Sequence, residues 1–191
     1  MVLKEADTID AAYMIARANR ILGWVALTEN DYLEAYRYLQ ESIRIHRQTS
    51  KDQEILAWTL APLGRTALGL GQRSQAHVYL YEALEIAANM GAFIPTLFIL
   101  PMVALALAEA GELERAADLW AVSSRHPFVG RSPLLEAVAG QPIARLTTSL
   151  PADVVEASRR RAGAADWWQT ITDLLPTLRN LGWVEVKQAQ T

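Results

Sequence analysis

The chain has 191 residues, 51% of them hydrophobic and 20% charged, enough apolar side chain to bury a core in a length too short for two large domains. Eighteen Lys plus Arg against 21 Asp plus Glu leave a formal charge of −3, without the basic excess that phosphate backbones attract, so direct nucleic-acid binding is not expected. No cysteine is present, which excludes disulfides, thiolate metal sites and a cysteine nucleophile and fits a reducing, cytoplasmic setting.

From the N-terminus, Lys4, Glu5, Asp7 and Asp10 are not the basic-then-apolar pattern of a secretion signal. The first organised pattern is Leu22-Gly23, then Ala26, Asn30, Ala35 and Leu39. The frame returns as Leu63-Gly64, Ala67, Gly71, Ala76 and Leu80, and again as Val103-Ala104, Leu107, Gly111, Ala116 and Trp120. The steps are 41 and then 40 residues. Small residues at fixed places let two helix axes approach closely, and Asn or Gly supplies a left-handed turn between them, so each unit reads as an antiparallel helix pair. Helices are predicted near 9–28 and 31–48, 52–69 and 73–90, and 94–110 and 112–124. One pair cannot cover its own apolar stripe, so three must stack. Ala92–Ala108 is uncharged over 17 residues, with Thr96 its only polar side chain. Pro95, Pro101 and its place in the repeat frame make it a buried helix rather than a membrane span.

This frame resembles the tetratricopeptide repeat: Leu-Gly, a Gly turn, Ala, and a large apolar residue four positions on. Ala26, Ala67 and Leu107 stand where the family has Tyr, and the period exceeds the usual 34. Long-period repeats of this kind resemble those in the C-terminal sensor regions of bacterial STAND-class signalling ATPases. The resemblance implies an all-α, right-handed solenoid of three helix pairs over residues 1–124, acting as a non-enzymatic interaction or sensing module, as part of a transcriptional or signalling regulator. It also implies that the first helix of each pair lines the concave face. That places there Arg17, Arg20, Trp24 and Leu27, then Trp58, Ala61, Arg65 and Leu68, then Phe98, Pro101, Leu105 and Ala108.

Beyond Ser124, Pro127, Gly130, Pro133, Gly140, Pro142 and Pro151 break the chain into short pieces, so residues 125–181 read as a helical cap rather than a fourth repeat. Short helices are predicted near 132–139 and 142–148, then 151–161 and 166–179, with Asp166 as an N-cap. Trp167, Ile171, Leu174, Leu175 and Leu178 make one stripe, suited to closing the open end of the solenoid, with 182–191 as a loose tail.

Catalytic signatures are missing: there is no Walker loop, no His-Glu-x-x-His and no Gly-x-Ser-x-Gly, so neither a catalytic set nor a cofactor is expected. His46, His77 and His126 fall on different units, so no metal site is expected, and they read as surface or cap residues. Arg159, Arg160 and Arg161 point in different directions on a helix and read as a solvated face. The candidate binding residues are therefore Arg17, Arg20, Trp24, Trp58, Arg65 and Phe98. Arginine and tryptophan recur at binding hot spots because guanidinium pairs bidentately with carboxylates and indole buries a large area at low entropic cost. The expected partner is an acidic and apolar protein segment or peptide, or a small amphipathic anionic effector. The same tryptophans can instead pack between units, and the apolar third unit or the cap can join a homodimer.

Overall fold

The computed structural model describes the backbone over residues 2–49 and 52–184, and the side chains over 11–48 and 52–184. Among these residues the structure is helical throughout, with no strand. Three long pairs come first: α1 (Val2–Thr28) with α2 (Tyr32–Thr49), α3 (Gln53–Gly69) with α4 (Arg73–Met90), and α5 (Phe93–Glu109) with α6 (Leu113–Ser124). The cap follows as α7 (Pro127–Gly130), α8 (Pro133–Leu135), a π-helical turn at 136–140, α9 (Gln141–Leu146), α10 (Ala152–Ala164) and α11 (Trp167–Asn180). α1 starts seven residues earlier than predicted. Residues 2–8 contain no Pro or Gly that would stop a helix.

The repeat frame has a direct physical meaning. Ala35, Ala76 and Ala116 are fully buried where the two helices of each pair meet. A Cβ on Gly23 would lie 2.5 Å from Cγ of Leu39, and one on Gly64 would lie 2.6 Å from Cγ of Leu80. The glycine of the Leu-Gly dipeptide is thus the socket into which the leucine of the second helix inserts. Each pair turns through a left-handed residue: Asn30 at φ 58°, Gly71 at 73° and Gly111 at 88°. Around each turn the amide of Asp31, Gln72 or Glu112 donates to the carbonyl of Ala26, Ala67 or Leu107, at 2.9 Å in all three. This is the six-to-one bond that closes a helix C-terminus around a left-handed residue.

Stacking buries a continuous core through the three units and into the cap, including all of α5 from Pro95 to Ala108 apart from Phe98. No helix among the described residues is long and apolar enough to cross a membrane. Between units, the amide of Gln40 donates to the Tyr79 hydroxyl at 2.9 Å, and the Ser42 hydroxyl donates to Ala16 O within the first pair at 2.8 Å.

The cap departs from expectation in two ways. α11 does bury Ile171, Leu174 and Leu178, but it packs along α4, while α10 covers α6 at the open end. Indole Nε1 of Trp167 donates to Thr96 Oγ1 at 2.9 Å, and Arg179 pairs with Glu85 at 2.8 Å. Second, the chain does not leave the body at Leu181. Gly182, at φ 76°, turns it back, and Trp183 is 2% exposed with its ring stacked on His77 at 4.2 Å. The first residues of the predicted tail are therefore part of the packed body, and 185–191 lie outside the described residues. His46 is buried rather than at the surface, with Nε2 2.8 Å from Asp52 O across the junction of α2 and α3. His126 caps α7, its Nδ1 accepting from the Phe128 amide at 3.3 Å.

Candidate binding site

The first helices of the three pairs lie side by side and present the face on which the candidate residues were placed. Half of the projected inner positions are core: Leu27, Ala61, Leu68, Pro101, Leu105 and Ala108 are buried. The segment from α7 to α9 explains part of this. It runs over α5 and reaches α1, and it bonds to α3 through Arg65. The chain thus fills a stretch of its own concave face.

Arg65 is the residue most changed by this. It is 6% exposed. Its Nε donates to the carbonyl of Val138 in the π-helical turn at 2.7 Å, and a terminal nitrogen donates to the Tyr32 hydroxyl at 3.1 Å. The guanidinium also lies 5.1 Å from the Tyr32 ring, and that hydroxyl donates on to Asn30 Oδ1 at 2.8 Å. Arg65 therefore ties the cap to two units and is not available to a partner. Burial pushes the neighbouring Glu109 carboxyl above its usual range, partly offset by Arg65 and Arg73.

The other five candidates come together. Trp58 and Phe98 approach to 4.9 Å between ring centroids, and Trp24 and Phe98 to 5.8 Å. Phe128, from α7, adds a fourth ring, edge-on to Phe98 at 5.3 Å. Trp24, Trp58 and Phe98 are partly buried and Phe128 is exposed, so the cluster has an open side. Phe128 was missed because it lies outside the repeat frame; an aromatic directly after a proline in the cap was the available signal.

At one end of this cluster the Arg20 guanidinium lies over the Trp58 ring at 5.0 Å. Burial, with a smaller contribution from Arg17, holds the Arg20 pKa below its ordinary value. No carboxylate among the described residues lies within ion-pair distance of Arg17 or Arg20. They share a pocket of about 270 Å³ with Tyr13, Ile55, Trp58 and two carboxylates, Asp52 and Glu54. Asp52 caps α3, its Oδ1 accepting from the amides of Glu54 and Ile55 at 3.0 and 3.3 Å. Chemically this is a mouth of two arginines and two carboxylates, formally neutral overall, with its arginine side set against an aromatic floor.

A larger cleft of about 600 Å³ lies between α6, α9 and α10, with Trp120 and Ile143 among its lining. Its polar groups are already engaged: Arg125 donates to the carbonyls of Ala162 and Ala165, and the hydroxyls of Thr147 and Thr148 donate back to α9. No group of three or more metal-ligating side chains occurs among the described residues. Arg161 pairs with Asp118 at 2.6 Å while Arg159 and Arg160 reach only Glu156, so the arginine run does not act as one patch.

In a comparison with protein families, residues 14–89 match the tetratricopeptide repeat. The match spans the first two pairs, in which the Leu-Gly socket, the Ala contact and the left-handed turn are all intact. No curated protein and no solved structure matches the chain.

Proposed function

We propose that this tetratricopeptide solenoid is a non-enzymatic recognition module that binds an acidic, apolar segment of a partner protein at the mouth formed by Arg17, Arg20 and Trp58 and along the rings of Trp24, Phe98 and Phe128. Repeats of this kind generally mediate protein–protein interaction. One observation carries the more specific reading: among the described residues no carboxylate pairs with either of two neighbouring arginines, and one of them is already partly desolvated on an indole face. Two like charges held together favour an anion between or across them, since it relieves their repulsion and the cost of burial. A carboxylate of the partner fills that place, and an apolar side chain beside it fits the aromatic floor. The long repeat period supports a likeness to the sensor regions of STAND-class regulators, and with it a cytoplasmic signalling or transcriptional role.

The test is a peptide array of mixed acidic and aromatic sequences, with hits titrated by fluorescence anisotropy. Acidic-aromatic peptides should be enriched, and Arg20→Ala and Arg17→Ala should each weaken binding by about 1–3 kcal/mol. Trp58→Ala should weaken it further. Hits without acidic residues, or binding indifferent to both arginine changes, would sink the assignment.

A further inference from the structure

The outer face of α1 carries a stripe formed by Ala11, Met14, Ile15, Ala18, Ile21, Leu22 and Val25, all exposed and none charged. Met14 is 58% exposed, Ile15 and Ile21 53%, Val25 49% and Leu22 45%. At about 100° per residue the seven positions span an arc of roughly 120°, the width of a core-facing helical stripe. The repeat frame shows that this is a face built to be covered. The equivalents of Ile15, Ala18, Leu22 and Val25 in α3 are Leu56, Thr59, Leu63 and Thr66, all buried against the preceding pair. Their counterparts in α5, Thr96, Ile99, Val103 and Ala106, are buried as well. Among the described residues, the corresponding face of the first pair is uncovered.

The spacing of the stripe says what fits there. Counting outward from Ala18, apolar residues fall at three, four and seven positions on both sides: Ile15 and Ile21, Met14 and Leu22, Ala11 and Val25. The pattern is therefore its own mirror, so a second α1 laid antiparallel across a two-fold axis at Ala18 sets Ile15 against Ile21 and Met14 against Leu22. The small central residue lets the helix axes approach, as at the alanine contacts within each pair. Five large side chains about half exposed, with the two alanines, present about 500 Å² per copy. Complete mutual burial would remove about 1,000 Å² in total, the lower edge of what a specific interface needs. The patch also lies at the upper end of what monomers leave uncovered, about 300–600 Å².

We infer that α1 is a homodimerisation surface, and that its occupant is a second copy of this chain in an isologous, antiparallel contact centred on Ala18. Arg17, Arg20 and Trp24 lie outside the arc, so the contact leaves the proposed binding mouth free and is independent of it.

Sedimentation equilibrium of the full chain should show a monomer–dimer equilibrium, with the dimer dominant at about 100 µM, as a small apolar interface allows. Ile21→Glu, a change at an exposed position, should give a monomer with the wild-type circular dichroism spectrum and melting temperature. Because the chain has no cysteine, register can be read by crosslinking. Ala18→Cys should oxidise to a disulfide dimer. Val25→Cys should not, since the two copies of position 25 would stand about 21 Å apart along the axis. A monomer at about 100 µM, a dimer unaffected by Ile21→Glu, open-ended oligomers, or equal crosslinking at 18 and 25 would each overturn the assignment.

Discussion

Arg65 and Arg20 occupy comparable faces of successive first helices, yet their environments make them different chemical objects. Arg20 faces a ring and another arginine; Arg65 faces a carbonyl and a hydroxyl. A surface arginine contributes well under 1 kcal/mol, whereas removing a buried charged donor leaves its acceptors without partners at about 1–3 kcal/mol each. Arg65→Met should therefore lower the unfolding free energy by about 2–4 kcal/mol, measured by urea denaturation, while Arg17→Ala changes it by less than about 0.5 kcal/mol. Equal, small effects from both would show that the bond to Val138 does not persist in solution. The repeat frame projects Arg65 onto the inner face, but projecting a frame cannot reveal that another part of the chain will lie over it.

At the scale of the helix, the repeat is legible because packing constraints repeat with it. Gly64 is small because Leu80 occupies the space where its Cβ would be, whereas a Cβ on Gly163 in α10 would meet nothing within 4 Å. Both glycines lie in helices, where alanine is favoured by about 0.5–1 kcal/mol. The same substitution should thus have opposite signs. Gly163→Ala should raise stability by about 0.5–1 kcal/mol, and Gly64→Ala should lower it by about 1–2 kcal/mol once overpacking against Leu80 outweighs the propensity gain. Thermal melts of the two variants decide the matter, and a stabilising Gly64→Ala would show that the socket is looser than the structure has it. The boundaries of α2 to α6 agreed with expectation to within about two residues, because Asn30, Gly71, Gly91 and Gly111 mark turns by backbone necessity.

For the whole molecule, the closing step is the return of the chain after α11. Trp183 is buried against His77 of α4, so the cap is fastened to the second unit beyond the end of its last helix. Trp183→Ala should cost about 3–5 kcal/mol, against less than about 1 kcal/mol for the exposed Trp168→Ala. Burial, then Arg73, holds the His77 pKa below its ordinary value. The unfolded chain thus binds that proton more tightly, and this contribution to stability is present above the ordinary histidine range and declines as pH falls through it. His77→Gln should flatten that part of the pH profile of stability. A profile unchanged by the substitution would remove His77 from the account.

What the sequence determined by itself was the repeated part: helix pairs, their turns, the alanine contacts and the glycine sockets. Each is a local or nearest-neighbour constraint, and copies in register, three for the turns and alanines and two for the glycines, make it visible. It also supplied the arginine and aromatic composition of the inner face. The tertiary structure alone decided what the cap does. Nothing local in Val138, Phe128 or Trp183 specifies contact with Arg65, Phe98 or His77, which lie 73, 30 and 106 positions earlier. Such contacts are single and long-range, so no periodicity records them, and they form only once the stacked pairs have built the surface on which the cap comes to rest.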